Sequence, residues 1–360
     1  MTDIARPIAP VPLSGGDGPA SSGAVHTVAL HFSDGVERVL QVAEGELVLD
    51  AAIAAGVGIS HQCRSGSCTS CIARLTSGSA EMRSGSCSLL ASEKAAGHRL
   101  LCLTEASGPA SFTLPYGSTS IGAATEAQAF INTIEQLASD VVRLELELAD
   151  GFWLDFKPGQ FIQIKVPGSD AMRSYSIAST VADLPRIELL IRLLPDGLTS
   201  DWLRNRARPE DVVSLSGPYG SFFLRAAPAT IPHLMVAGGT GLAPMLSMID
   251  TLRARPGRKP KIVLSFGCAT RDGLFHLEPL ELRQHWMPSL ETRISIDRGA
   301  PEDGVRVGNP VAAILDGPID PASVAYLCGP PGMVSAARDA LEAAGLSPEN
   351  IFAEQFVAST

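Results

Sequence analysis

Gln62-Cys63-Arg64-Ser65-Gly66-Ser67-Cys68-Thr69-Ser70-Cys71 has the most specific pattern in this chain, and a further cysteine follows in Leu101-Cys102-Leu103. The first three cysteines have the spacing C-x4-C-x2-C, and the last one comes from a separate part of the chain. Four thiolates at this spacing hold a 2Fe–2S cluster in electron-transfer proteins. The small residues between the first two cysteines allow backbone N–H groups to turn toward the cluster. We therefore predict that the cluster ligands are Cys63, Cys68, Cys71 and Cys102.

Zinc, a Rieske-type cluster and disulfides are the alternatives for these cysteines. Zinc motifs usually contain two short Cys or His pairs, whereas this stretch contains one C-x2-C. A Rieske cluster needs two histidines, and His61 has no second histidine in a matching motif. Seven cysteines in 360 residues do not indicate a disulfide scaffold. Cys87 could be a redox-sensitive thiol, but we expect a structural residue beside a turn, and we expect the same structural role for Cys268.

The composition indicates several globular domains. A chain of 360 residues with 45% hydrophobic and 18% charged residues can fill two or three cores. The formal net charge of −10 argues against a nucleic-acid partner, because phosphate binding requires clustered Lys and Arg. The sequence has neither an apolar run of about 18 residues nor a basic segment followed by an apolar one at its start. We expect a cytoplasmic protein without a membrane partner.

The pattern around the cysteines predicts an α+β domain. Alternating apolar residues at 28–32 and a second run at 39–42 flank an Asp-Gly turn, which predicts a β-hairpin. An Ala-rich segment at 46–56 predicts a helix immediately before the cysteine stretch. In this order, residues 25–115 resemble a plant-type ferredoxin domain. The resemblance implies a β-grasp fold.

The remaining chain divides at changes of pattern. Residues 1–24 are rich in Gly, Pro and Ser and predict a flexible tail, and residues 116–126 predict a linker. Short strands at antiparallel spacing predict a β-barrel within residues 127–228. Strands alternate with helices within residues 229–360, which predicts a doubly wound parallel α/β sheet. The expected architecture is therefore multidomain.

A flavin site is indicated by Arg173-Ser174-Tyr175-Ser176. This R-x-Y-S motif resembles that of ferredoxin–NADP reductase-like flavoproteins, and the resemblance covers residues 127–360. It implies that Arg173 binds the flavin pyrophosphate, that Tyr175 stacks on the ring and that Ser176 lies near flavin N5. Further contacts that the resemblance and local pattern imply are Thr199 and Ser200 at a helix start, Gly217, Tyr219 and Gly220 in a Gly-Pro loop, and Phe356 over the ring.

A nicotinamide site is indicated by Gly238-Gly239-Thr240-Gly241, which lies between a predicted strand and a predicted helix. The stretch lacks the form G-x-G-x-x-G, but it resembles the phosphate loop of the same reductases, where glycines allow close approach to phosphates. Cys328-Gly329-Pro330-Pro331-Gly332-Met333 resembles their C-G-P-P-x-M segment, which implies that Cys328 lies beside the nicotinamide and that Gly329 and Pro330 contact the dinucleotide. The resemblance also makes Glu354 a catalytic residue with Ser176 and Cys328.

The choice between NADH and NADPH depends on the group that contacts the adenosine ribose. Asp272 would bind a free 2′-hydroxyl, and the adjacent Arg271 would favour a 2′-phosphate. We expect NADH, with Asp272 as the ribose contact, and do not exclude NADPH.

Three modules in this order resemble the reductase components of multicomponent bacterial oxygenases of the ring-hydroxylating type. The resemblance implies that NADH transfers a hydride to FAD and that single electrons pass through the 2Fe–2S cluster to a terminal oxygenase. A reductase serving a deoxysugar dehydratase shares the module order and stays open. A non-enzymatic redox sensor would not need Ser176, Cys328 and Glu354 together.

Overall fold

The computed structural model describes residues 24–85, 87–122, 124–301 and 304–356. The predicted tail lies outside these ranges except for its last residue. The described residues form three β-sheets, each made from one continuous part of the chain. The sheets follow the predicted order of an α+β domain, an antiparallel β domain and an α/β domain, so the predicted fold class is confirmed.

The first sheet has five strands in the order β2-β1-β5-β3-β4. β1 and β5 are parallel, and the other neighbours are antiparallel. The cysteine stretch lies between α1 and β3, over a core to which Cys71 and Cys102 belong. The elements are β1 (Val25–His31), β2 (Glu37–Ala43), α1 (Val48–Ala54), β3 (Ile72–Met82), α2 (Ala91–Ala95), β4 (His98–Leu100) and β5 (Thr104–Thr113).

The start of the predicted linker packs against this first core. Tyr116 is 1% exposed, and its hydroxyl accepts a hydrogen bond of 3.0 Å from the backbone N of Ser60, just before the cysteine stretch. Its ring lies 6.3 Å from that of Phe32. Ser118 donates to Asp34 through both its backbone N and its Oγ, each over 2.8 Å. Tyr116 can be buried because its hydroxyl has a hydrogen-bond partner, so the start of the predicted linker is held against the first core.

The second sheet is antiparallel, with the order β10-β7-β6-β11-β8-β9. A bridge between Ile177 and Leu189 joins the two edges, as expected for a barrel. The sequence pattern does not indicate β11 as a strand, because it contains Gly217-Pro218 near its end and its pairing with β8 shifts register there. The elements are β6 (Thr125–Ala138), β7 (Val141–Leu148), β8 (Phe161–Lys165), β9 (Met172–Ser176), β10 (Arg186–Arg192), α3 (Leu198–Asn205) and β11 (Val212–Tyr219).

The third sheet is parallel, with the order β15-β14-β13-β12-β16-β17. Helices cover both faces, and every residue of β12 and β16 is buried. The strand order reverses between β12 and β16, so a crevice for ligands is expected beyond their carboxyl ends. The elements are β12 (His233–Gly238), α4 (Leu242–Ala254), β13 (Ile262–Cys268), α5 (Leu277–Trp286), β14 (Leu290–Ile296), β15 (Val305–Val307), α6 (Pro310–Ile314), β16 (Val324–Gly329), α7 (Pro331–Ala343) and β17 (Ile351–Gln355).

Among the described residues, no helix is both long enough and apolar enough to cross a membrane.

Candidate redox-cofactor sites

The cysteine stretch is a tightly turned loop whose backbone N–H groups point at sulfur. Ser65 and Ser67 donate from their backbone N to Cys63 Sγ over 3.4 and 3.3 Å. The turn uses left-handed backbone at Gly66, with φ of 80°. A Cβ at Gly66 would come 2.5 Å from Leu103 Cδ1, so a larger residue would displace the loop. Hydrogen bonds of this kind tune the potential of an iron–sulfur centre.

The four predicted ligands lie as two pairs. The contact with Cys68 lowers the pKa of Cys63 to about 3, and the same contact raises the pKa of Cys68. Likewise, Cys71 and Cys102 contact each other, which raises the pKa of Cys71 and lowers that of Cys102. Two thiols on each side suit a centre with two irons, because each iron takes two protein thiolates. The donor set therefore fits a 2Fe–2S cluster.

A large cleft separates the second sheet from the third. Its volume is about 1220 Å³, above the roughly 300–1,000 Å³ of most single-ligand sites. It opens beyond the carboxyl ends of β12 and β13, near the place where the strand order reverses. The cleft is large enough for a dinucleotide flavin beside a nicotinamide dinucleotide.

Most of the residues that were predicted to contact the flavin or the nicotinamide dinucleotide line this cleft. The lining includes Arg173, Tyr175, Ser176, Thr199, Ser200, Gly238, Gly239, Thr240, Pro330 and Phe356. The predicted residues outside the lining are Gly217, Tyr219, Gly220, Gly241, Asp272, Cys328, Gly329 and Glu354.

Two glycines outside the lining allow close packing beneath it. A Cβ at Gly241 would overlap the carbonyl oxygen of Cys328, so the start of α4 can approach β16 only with glycine there. Gly220 lies against the ring of Phe161, and a Cβ there would come 3.7 Å from Glu354 Oε1. Because they carry no side chain, these two glycines allow the backbone beneath the cleft to pack closely against its neighbours.

Glu354 and Ser176 connect the buried interior to the cleft. Ser176 Oγ donates to Glu354 Oε2 over 3.2 Å, although the two residues belong to different sheets. Burial raises the pKa of Glu354 to about 8, and the hydrogen bond from Ser176 partly opposes that shift. Cys328 is opposite Glu354 in the register of β16 and β17, and burial raises the pKa of its thiol. The carboxyl group can hold a proton at neutral pH and face a hydroxyl that lines the cleft.

The flavin-motif side chains lie on β9 at the cleft wall. Arg173 Nη1 donates to the carbonyl of its neighbour Met172 over 3.0 Å, and its guanidinium lines the cleft. Burial raises the pKa of Tyr175, and the nearby Thr199 acts in the opposite direction. Ser200 Oγ accepts a hydrogen bond of 2.8 Å from Leu194 N, so Ser200 stabilises the turn before α3. A cation beside an aromatic ring and a helix start suits a flavin with its pyrophosphate.

Asp297 and Asn309 are two of the polar cleft residues that no sequence motif indicates. Asp297 follows β14, and Asn309 precedes α6. The rule that carboxyl ends of parallel strands meet at one edge could have indicated both, but neither belongs to a motif. By contrast, Asp272 uses its carbonyl to accept from the backbone N and the Oγ of Ser139, both over 3.3 Å, and thereby ties the second sheet to the third. Cys268 also lines the cleft, and burial raises its pKa to about 12.

Comparison with known proteins supports each of the three parts. The 2Fe-2S iron-sulfur cluster binding domain matches residues 31–107, the oxidoreductase FAD-binding domain matches residues 128–224, and the oxidoreductase NAD-binding domain matches residues 235–339. The toluate 1,2-dioxygenase electron transfer component of Pseudomonas putida is 34% identical over 93% of this chain and 99% of its own length. The chain belongs to the family of oxygenase reductase components.

Other reductases resemble the chain along most of its length. The reductase component of propane 2-monooxygenase from Rhodococcus jostii is 31% identical and covers 89% of both chains. The crystal structure of the Amycolatopsis cytochrome P450 reductase GcoB has a TM-score of 0.67 and 28% identity, over 92% of this chain and 99% of that one. The predictions of a 2Fe–2S cluster, FAD and a nicotinamide dinucleotide in one oxidoreductase are thus confirmed.

Proposed function

We propose that this reductase oxidises NADH in the cleft and delivers single electrons to a terminal oxygenase. The observation that carries the proposal is the single cleft that unites the R-x-Y-S strand β9 with the glycine turn after β12. Relatives that are named as electron-transfer components of dioxygenases and as reductases of a monooxygenase support an oxygenase as the acceptor.

The proposed cluster ligands are the four cysteines that contact each other two by two, Cys63 with Cys68 and Cys71 with Cys102. Arg173 would hold the flavin pyrophosphate, because its guanidinium lines the cleft and can fork onto phosphate oxygens. Tyr175 and Phe356 would cover the flavin ring, and the glycine turn at 238–241 would approach the nicotinamide phosphates. When bound, FAD accepts an electron pair as hydride and releases electrons one at a time, which the cluster requires.

Ser176, Glu354 and Cys328 would position the reacting groups and hold a proton. Ser176 lines the cleft, and its hydroxyl donates to Glu354, which is 8% exposed. Glu354 is neutral below a pH of about 8, so it can hold a proton next to Ser176 without placing a buried charge there. Cys328 packs under the same point and excludes water, since it is fully buried.

We propose NADH as the preferred dinucleotide, with Asp297 as the ribose contact in place of Asp272. Asp297 lines the cleft at the carboxyl end of β14, and a carboxylate there would accept from a free 2′-hydroxyl and repel a 2′-phosphate. Asp272 does not line the cleft.

We further propose domain limits of 25–115 for the ferredoxin domain, 127–228 for the flavin domain and 229–360 for the nicotinamide domain. The three sheets lie within these limits, except that β6 begins two residues earlier, at Thr125. A cytoplasmic location is part of the proposal, and it is supported by the proposed use of four of the seven cysteines as thiolate ligands, which a reducing compartment favours.

The experiment is spectroscopic and kinetic. Purified protein should show flavin absorbance together with the broad bands of a 2Fe–2S centre, and dithionite should produce a rhombic electron paramagnetic resonance signal. It should reduce ferricyanide and cytochrome c with NADH and support turnover of a terminal oxygenase. A colourless preparation containing zinc would contradict the proposal, as would NADH oxidation that never reduces the cluster.

A further inference from the structure

One contact between the flavin domain and the ferredoxin domain is made by a buried aromatic residue. Phe223 follows β11, is 4% exposed and packs within the hydrophobic core of the ferredoxin domain. The Arg225 guanidinium lies 3.9 Å from its ring centre, and Lys157 Nζ lies 4.8 Å away. An aromatic contact of this kind holds two domains together, but by itself it does not fix the angle between them.

A second contact, far from Phe223 in sequence, is ionic and buried. Glu93 on α2 of the ferredoxin domain pairs with Arg338 on α7 of the nicotinamide domain, with 3.1 Å between Oε1 and Nη2. The two side chains are only 5% and 7% exposed. The other carboxylate oxygen of Glu93 accepts from Leu90 N over 2.9 Å, so the carboxylate is already oriented toward Arg338. Arg338 has a further, longer contact with Glu342, at 3.8 Å.

A buried ion pair contributes little net stability, because desolvation of both charges offsets their attraction. What it does supply is geometry, since either charge left unpaired in the interface is strongly unfavourable. Any rotation of the ferredoxin domain about Phe223 would separate Glu93 from Arg338. The pair therefore selects one orientation among those that the aromatic contact permits.

The helix that carries Arg338 also lines the cofactor cleft. Gly332, Met333 and Ala336 of α7 contribute to the cleft, and Arg338 lies only two residues further along the same 13-residue helix. A short continuous helix moves as a unit. The orientation of the ferredoxin domain is therefore set relative to the site at which electrons enter.

We propose that the Glu93–Arg338 pair positions the ferredoxin domain for electron transfer from the flavin to the cluster. The proposal rests on the function proposed above. In each step, one electron leaves the reduced flavin and enters the oxidised cluster, and the rate of such a transfer falls exponentially with the separation of the two centres. Both residues are positioning residues, because neither lies in the cleft or among the cluster ligands.

A matched control pair joins the same two domains. Arg74 on β3 pairs with Glu349, just before β17, over 3.0 Å, but the two side chains are 46% and 75% exposed. Exposed pairs of this type are screened by solvent and contribute little. The Arg74–Glu349 pair therefore tests whether any charge contact across this interface would have the same effect.

The test uses the full chain with its cofactors and the double variant E93Q/R338M. The amide oxygen that E93Q introduces can still accept from Leu90 N, and methionine fills much of the volume of arginine, so both charges disappear without leaving an unpaired one. Anaerobic rapid mixing with NADH separates flavin reduction from cluster reduction by absorbance and by freeze-quenched electron paramagnetic resonance. We expect an unchanged rate of flavin reduction, an unchanged melting temperature within a few degrees, and cluster reduction slowed at least 10-fold.

The conservative variant R338K keeps the charge and should recover cluster reduction to within about 3-fold of wild type. The control variant R74M/E349Q should transfer electrons at the wild-type rate. Wild-type cluster reduction in E93Q/R338M would overturn the proposal, and so would equal slowing in R74M/E349Q or a parallel loss of flavin reduction. The proposed function fails separately, if wild-type protein itself does not reduce its cluster with NADH.

Discussion

Glu354 is a buried carboxyl group whose charge makes the stability of this protein depend on pH. Burial raises the pKa of Glu354 from 4.5 to about 8 in the folded state. Between these values the unfolded chain has lost the proton and the folded protein still holds it, so stability falls as pH rises from about 4.5 to 8. Glu354→Gln has no titrating group at this position, so it removes the contribution of Glu354 to the pH dependence of stability.

Urea unfolding at pH 6 and pH 8 measures the effect on the free energy of unfolding. Wild type should lose up to about 2–3 kcal/mol more than Glu354→Gln between the two pH values, at about 1.36 kcal/mol per pH unit. Parallel pH profiles for the two proteins would show that Glu354 titrates normally.

The preference for NADH is predicted to depend on Asp297. Asp297→Asn removes a charge-assisted hydrogen bond, worth about 1.5–3 kcal/mol, from the ribose 2′-hydroxyl. We expect kcat/KM for NADH to fall about 10-fold or more and kcat/KM for NADPH to rise, both measured with ferricyanide. Asp272→Asn tests the alternative ribose contact, and it should alter neither kcat/KM value more than about 2-fold. A large effect of Asp272→Asn together with a small effect of Asp297→Asn would instead make Asp272 the ribose contact.

Loss of one cluster ligand should separate the two acceptor activities. In Cys68→Ser the pair with Cys63 is broken, so the cluster is lost or altered, whereas the cleft is untouched. Ferricyanide can draw electrons from the flavin directly, so its reduction should persist, while most cytochrome c reduction disappears. Cys87→Ser serves as a control, because Cys87 packs beside Gly66 without pairing with a ligand, and it should keep both activities. Equal loss of both activities in Cys68→Ser would contradict an ordered relay.

At the scale of elements, the turn between β12 and α4 must approach β16 closely. Gly241→Ala places a Cβ against the Cys328 carbonyl and should reduce stability by about 1–3 kcal/mol, as overpacking does elsewhere. Gly332→Ala, in the first turn of α7, meets nothing within 4 Å and should be neutral or slightly stabilising. Thermal unfolding compares the two. A tolerated alanine at Gly241 would mean that the turn can move away from β16.

The sequence predicts elements well where one pattern continues without interruption. β7, at residues 141–148, is the kind of strand that a sequence pattern predicts, because apolar and polar side chains alternate through it. β11 and β17 carry no such uninterrupted pattern. The first contains a Gly-Pro step and a register shift, and the second is a short edge strand whose pairing with β16 only the folded sheet reveals. The cluster ligands were found by their spacing, whereas Asp297 lies in no motif and reaches the cleft only through sheet topology.

At the scale of the whole molecule, the ferredoxin domain has a core of its own, whereas the flavin and nicotinamide domains share a core cluster to which Ala178 and Leu190 contribute from the flavin domain. Among the described residues, the buried core of the ferredoxin domain also takes Tyr116 from the linker and Phe223 from the flavin domain. The flavin domain and the nicotinamide domain meet around the cleft, where the Ser176–Glu354 hydrogen bond crosses between their sheets. The cleft belongs wholly to these two domains. Electron entry and electron exit are therefore built on different parts of the chain.

This separation predicts that a fragment beginning at residue 124 folds without the ferredoxin domain. The fragment keeps the core clusters of the flavin and nicotinamide domains, Phe223 loses its packing against the ferredoxin core, and Arg338 exchanges its buried partner for water, where a lone charge costs little. We expect flavin binding and NADH–ferricyanide activity within about 3-fold of the full chain, with cytochrome c reduction largely lost. Exposure of Phe223 should increase aggregation, and Phe223→Ser in the fragment should reverse it, as light scattering can measure. A fragment unable to bind flavin would show that the ferredoxin domain completes the fold of its neighbours.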